Sequence, residues 1–158
     1  MHKELFESVE NNDEASVKRL TDQTDITTLK DSFGYSPLHR SITKGFDPIS
    51  EILIEKGVDL NARDENGQTA LHYAAFYDNL PIARILLNRG ADLHIADNYG
   101  NQPLWTAVFN DKGFGRRLEM VKLFIDHNAD IHHRNNVDKS PLDLATTCKY
   151  SDVVALLK

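Results

Sequence analysis

The residues whose type and spacing come nearest to metal chemistry are His127, His132 and His133, with His94 at the matching place of an earlier segment. Zinc requires three or four ligands converging from fixed directions, which a chain commonly supplies through spacings such as His-x3-His on one helix face. Adjacent histidines on a turn point apart instead, so these read as solvated turn residues, and neither metal nor cofactor is expected. Gly113-Phe114-Gly115 has neither the Gly-Lys-Ser/Thr continuation nor the preceding strand of a phosphate loop. The single cysteine, Cys148, cannot form an internal disulfide and suits a reducing compartment; it reads as a structural thiol rather than a nucleophile. The competing class is a metal-dependent enzyme using the His127, His132 and His133 region, which stoichiometric zinc in the purified protein would reveal.

Other chemically capable residues recur, and recurrence assigns them elsewhere. Asp31, Asp64 and Asp97 stand once per 33 residues, as do Gly34, Gly67 and Gly100, while His39 and His72 are 33 apart. A residue repeated at a fixed interval does what every unit needs, such as shaping a turn or stacking on a neighbour, and an active-site residue rarely repeats so. Apolar positions follow the same register: Leu38 with Leu71, Ile49 with Ile82, Ile52-Leu53 with Ile85-Leu86. The period divides the chain into an N-terminal capping unit 1–30, full units 31–63, 64–96 and 97–134, and a C-terminal capping unit 135–158, together a single domain. In the third full unit Leu123 falls 23 residues after Gly100, where the corresponding separation before is 18, which places an insertion near 111–117.

The elements that position these residues follow from local rules. Ser36, Thr69 and Ser140 stand where a side-chain oxygen caps a helix start, and Pro37 and Pro141 follow at the first helical position, where a missing N–H costs nothing. A short first helix carries Leu38 and Ile42, or Leu71 with Ala74 and Ala75, on its buried side. A second helix shows the i, i+3, i+4 spacing at Ile49, Ile52 and Leu53, and again at Ile82, Ile85 and Leu86. Gly57, Gly90 and Asn128 mark its end, being residues that tolerate the left-handed conformation of a C-terminal cap. The polar, glycine-punctuated stretch that follows predicts a protruding turn or hairpin.

Ser36-Pro37-Leu38-His39 and Thr69-Ala70-Leu71-His72, with Gly57-Val58-Asp59-Leu60-Asn61-Ala62 and Gly90-Ala91-Asp92-Leu93, resemble the signature segments of the ankyrin repeat family. The resemblance covers essentially the whole chain. It implies an all-α repeat fold, an ankyrin solenoid of about five helix-turn-helix units with short β-turn or hairpin loops. His39 and His72 would then be repeat-stacking hydrogen bonders. The pattern departs at Trp105 and Asp143, so that network is expected to be interrupted there, with Trp105 filling the gap as core. The chain also looks similar to small free-standing bacterial ankyrin proteins, some of which act as immunity proteins or inhibitors of a cognate toxin; a host-directed effector and an assembly scaffold are the competing versions. A repeat family specifies a scaffold rather than an activity.

Composition narrows the classes. A net charge of −6 disfavours nonspecific nucleic-acid binding, which depends on Lys and Arg neutralising phosphates. No apolar run reaches bilayer-spanning length, and the N-terminus lacks a secretory apolar region, so no membrane association and a cytoplasmic location are expected.

Residues that the scaffold does not need are left for recognition. By alignment these are Phe33, Tyr35 and Lys44 in the first full unit, Glu65, Phe76 and Tyr77 in the second, and Tyr99, Asn101, Phe109 and Asn110 in the third. Aromatic residues make up only 8% of the chain, yet six fall in this set. Aromatic side chains anchor protein interfaces by offering large apolar area at low entropic cost. The expectation is therefore a non-enzymatic module, monomeric when unbound, that binds another protein through a concave aromatic face and sequesters or inhibits it. Phe114, Arg116 and Arg117 in the insertion form a second candidate contact.

Overall fold

The computed structural model describes residues 2–111 and 118–158. Ten helices run through them, with no strand among the described residues: α1 (His2–Glu10), α2 (Glu14–Thr21), α3 (Pro37–Lys44), α4 (Asp47–Glu55), α5 (Ala70–Tyr77), α6 (Leu80–Asn88), α7 (Pro103–Asp111), α8 (Leu118–Asp126), α9 (Pro141–Thr147) and α10 (Ser151–Leu156). Consecutive helices pair, and each pair packs on the next. The odd-numbered helices form one layer and the even-numbered helices another, so contacts run α1 to α3 to α5 to α7 to α9 and α2 to α4 to α6 to α8 to α10. This is the architecture of an ankyrin helix-turn-helix solenoid.

The core lies between the layers. Leu38, Leu71 and Leu104 from the first helices meet Ile49, Leu53, Ile82, Leu86, Val121 and Phe124 from the second, all essentially without solvent contact. Small residues at one register of the first helices, Ser41, Ala74, Ala107 and Ala145, let neighbouring helices approach closely. Ser41 is the polar member of that row, and its hydroxyl is paired at 2.7 Å with the buried hydroxyl of Ser50 on α4. Either hydroxyl can donate to the other while its partner donates to a backbone carbonyl, Leu38 at 3.0 Å from Ser41 Oγ and Phe46 at 3.2 Å from Ser50 Oγ, so neither buried hydroxyl is left unpaired.

Between units the chain makes turns with one repeated construction. Asp31 Oδ1 accepts the backbone N–H groups of Phe33 and Tyr35 at 2.8 and 3.0 Å. Asp64 does the same for Asn66 and Gln68, Asp97 for Tyr99 and Asn101, and Asn135 for Val137 and Lys139. The repeated aspartates are thus turn builders, as their period predicts. Adjacent turns also touch: Asn98 N–H donates to the Asn66 carbonyl, and Asn136 N–H to that of Tyr99.

Trp105 departs from expectation. It is half buried rather than a core residue and lines a surface cleft. The recognition of later units also continues without the signature histidine. His133 Nε2 donates to the Gly100 carbonyl at 2.9 Å, and Asn135 Nδ2 to Asn101 Oδ1 at 2.9 Å, so the last turn is tied to its predecessor by other side chains.

Candidate protein-binding face

The turns and first helices line up on one side of the stack, and the large exposed apolar side chains cluster there. Tyr99 is 69% exposed, Phe33 60%, Phe109 54%, Phe76 50% and Tyr77 46%. Helices and hydrogen-bonded turns carry these rings. Phe76 and Tyr77 close α5, Phe109 lies on α7, and Phe33 and Tyr99 sit at the third position of turns held by Asp31 and Asp97. Phe76 and Tyr77 meet edge to face at 5.1 Å, and Tyr77 stacks on Tyr73 at 6.4 Å.

The remaining predicted contact residues are placed less uniformly. Glu65 is exposed on its turn, and Lys44 is exposed at the end of α3, where its amine pairs with Glu10 at 2.6 Å. Tyr35 is half buried, edge-on to Tyr73 at 5.9 Å and covered by the Arg40 guanidinium at 4.5 Å. Asn101 and Asn110 are half buried. Phe114, Arg116 and Arg117 lie outside the described residues.

Among these side chains the structure forms a cleft of about 380 Å³, lined by Phe76, Tyr99, Trp105 and Phe109 with Gln68, Asp97, Asn101, Thr106 and Asn110. It lies between α5, α7 and the turns before them. Four rings around a polar floor can take an apolar or cationic group while offering hydrogen bonds, the usual make-up of a recognition cleft. Asn110 Nδ2 is buried there with no hydrogen-bond partner among the described residues. Sequence reasoning found three of the four rings and missed Trp105 and Asp97, because one replaces a repeated histidine and the other is itself a repeat residue.

The histidines divide by environment. His39 Nδ1 accepts the Ser36 N–H at 3.0 Å, which leaves Nε2 to donate to the Gln68 carbonyl at 3.2 Å on the next turn. His72 repeats this between Thr69 N–H, at 3.1 Å, and the Asn101 carbonyl, at 2.9 Å. Burial lowers His39 from its usual 6.5 to about 4 and lowers His72 in the same direction, so both rings are neutral at pH 7. At Asp143 a carboxylate takes over the capping part of this role: its Oδ2 accepts the Ser140 N–H at 3.0 Å, while Ser140 Oγ accepts the Asp143 N–H at 3.1 Å.

His94, His127 and His132 are exposed, and His127 Nδ1 lies 2.9 Å from the Leu123 carbonyl. Among the described residues no group of three or more His, Cys, Asp and Glu side chains is placed to hold a metal ion. Cys148 is exposed just beyond α9. Among the described residues no helix is long and apolar enough to cross a membrane.

Comparison with known proteins agrees with this architecture. A family model described as ankyrin repeats in three copies matches residues 5–97, and a single ankyrin repeat model matches residues 99–136. Alpha-latrotoxin-Lhe1a of Latrodectus hesperus is 42% identical over 43 residues, which is 27% of this chain and 3% of that protein. The chain thus spans a small fraction of the length of the curated relative it matches, and what is shared is the repeat. With these family models matched along most of its length, the chain belongs to the ankyrin repeat family, whose members are protein-protein interaction modules and typically non-enzymatic.

Proposed function

We propose that this chain binds a partner protein through the face built from the turns and first helices, catalyses no reaction on it, and acts by occupying the partner's surface, sequestering or inhibiting it. The observation that carries this reading is the row of rings at Phe33, Phe76, Tyr77, Tyr99 and Phe109, exposed on elements whose buried faces already satisfy the fold. Solvent exposure of that much aromatic surface is unfavourable for a free protein, and aromatic anchors of this kind dominate interface energetics when a partner covers them.

Affinity capture from the native source, followed by mass spectrometry and quantitative rebinding of the recovered protein, tests it. Tyr77→Ala and Tyr99→Ala should each weaken rebinding by about tenfold or more, the loss expected of an interface anchor. Thermal stability should change little. Rebinding that is indifferent to both substitutions would remove this face as the binding site. A single stoichiometric enzyme or toxin as partner supports inhibition, and many weak partners support a scaffold.

A further inference from the structure

The turn aspartates have two carboxylate oxygens, and only the first is used alike in every unit. Asp31 Oδ2 accepts two hydrogen bonds from Arg40, at 2.7 Å from Nε and 2.5 Å from Nη2. Asp64 Oδ2 accepts the Tyr73 hydroxyl at 2.8 Å. Both donors stand nine residues after their aspartate, on the first helix of the same unit. In the third full unit that position is Thr106, and Asp97 Oδ2 has no hydrogen-bond or ion-pair partner among the described residues. The last unit has no carboxylate to satisfy, because Asn135 stands at the turn and Leu144 on the helix.

Asp97 is 8% exposed and forms part of the lining of the aromatic cleft. A carboxylate removed from water gains most from a cationic hydrogen-bond donor. The first full unit shows what such a donor looks like here. The Arg40 guanidinium reaches Asp31 with its carbon 4.5 Å from the Tyr35 ring centre and 5.7 Å from that of Phe33. The third unit keeps the carboxylate and an aromatic ring at the Phe33 position, Tyr99, adds Trp105 and Phe109, and omits the arginine.

We propose that this cleft is a socket for an arginine side chain of the partner protein, which pairs with Asp97 and lies among the rings of Tyr99, Trp105 and Phe109 as Arg40 does within the first full unit. The inference rests on the reading that this face binds protein, and it adds the chemistry of one contact. Arginine fits better than lysine because its planar guanidinium can pair with a carboxylate and stack on a ring at once. The net charge of −6 favours approach of a basic segment. The cleft, of about 380 Å³, has room for one long side chain.

Trp105 is the only tryptophan, so its fluorescence reports on the cleft alone. Capped Gly-Gly-Arg-Gly-Gly should change that fluorescence saturably, with the citrulline and lysine analogues about tenfold or more weaker. Asp97→Asn should lose the preference for arginine over citrulline. That variant keeps the turn, since Asn135 builds the same turn with an amide oxygen. Thr106→Arg, which supplies the missing guanidinium from within the chain, should abolish the peptide response as a second, independent variant. Equal responses to arginine and citrulline peptides, no saturable response at all, or an unchanged preference in Asp97→Asn overturns the proposal. The two readings separate in rebinding of the captured partner. Loss with Tyr77→Ala or Tyr99→Ala but not with Asp97→Asn leaves a protein-binding face without an arginine socket, and indifference to all three variants removes the face as well.

Discussion

His72 Nε2 lies 2.9 Å from the Asn101 carbonyl, so the imidazole that closes the start of α5 also fastens the following turn. One ring therefore serves two units, accepting at Nδ1 and donating at Nε2. His72→Ala leaves the Thr69 N–H and the Asn101 carbonyl without that partner and opens a buried void. The expected cost is about 2 to 4 kcal/mol, from two buried hydrogen bonds and the lost packing. Urea denaturation followed by far-ultraviolet circular dichroism measures it; a loss below about 0.5 kcal/mol, the scale of an ordinary surface substitution, would contradict the role.

The same burial makes stability fall on acidification. The unfolded chain protonates its histidines near 6.5, whereas folded His39 resists until about 4, and His72 is displaced in the same direction. The unfolded state therefore binds more protons across that interval. The contribution is fully present above pH 6.5 and drains away as pH falls toward 4, by on the order of 3 kcal/mol for His39. Asp143, whose carboxyl the Ser140 backbone N–H holds below the ordinary 3.8, adds its own loss only at lower pH. Denaturation midpoints at pH 7.5, 6 and 5 should decline, and His39→Gln should flatten the slope; equal slopes in the two proteins would rule out His39 as the source.

The period of the glycines and the turn-building role of Asp31 and Asp64 were legible in the sequence because they are local and repeated, while the stacking role of His39 and His72 came from the family resemblance. A turn aspartate needs only backbone groups two and four residues on; that each histidine also accepts the backbone N–H three residues before it emerged only from the structure. Side chains that complete another residue's chemistry across a helix were not legible. Tyr35 differs between units and so reads as free for recognition, yet its ring supports Arg40 and Tyr73. Asp97 repeats and so reads as purely structural, although its second oxygen depends on what stands at position 106. Repetition sorts residues by position, and it does not reveal which of them depends on a changed neighbour.

The turn glycines are required by contact as well as conformation. At Gly67, φ is +77°, and an added Cβ would lie 2.9 Å from the backbone nitrogen of Asn98 on the next turn, which cannot move aside cheaply. Gly57 has φ +81° with nothing within 4 Å of the same added atom. Gly57→Ala should cost about 1 to 2 kcal/mol, the strain of the left-handed backbone. Gly67→Ala should cost about 1 to 3 kcal/mol more, through displacement of a packed neighbour. Asp138, at the matching place of the last turn, has φ +55° with a side chain. No later turn packs against it among the described residues. Equal losses of melting temperature in the two alanine variants would show that conformation alone selects glycine.

Tyr73 tests how strongly a turn carboxylate depends on its donor. Its hydroxyl donates to Asp64 Oδ2 at 2.8 Å with both residues buried, and burial, reinforced by Tyr35 and Asp64, raises the phenol so that it stays protonated as a donor. Tyr73→Phe removes one oxygen and keeps the ring that packs edge-on to Tyr35 and His39. The carboxylate would then lose its only donor to Oδ2 among the described residues. A loss of about 1.5 to 3 kcal/mol is expected, the range for a buried hydrogen bond to a charged group. The double variant Tyr73→Phe with Asp64→Asn should recover part of that loss, because an amide carries no charge and still supplies the oxygen that the turn needs. If the single variant is as stable as the parent, an open carboxylate oxygen is tolerated at this turn without cost, and the open oxygen of Asp97 would then exert little pull on an incoming guanidinium.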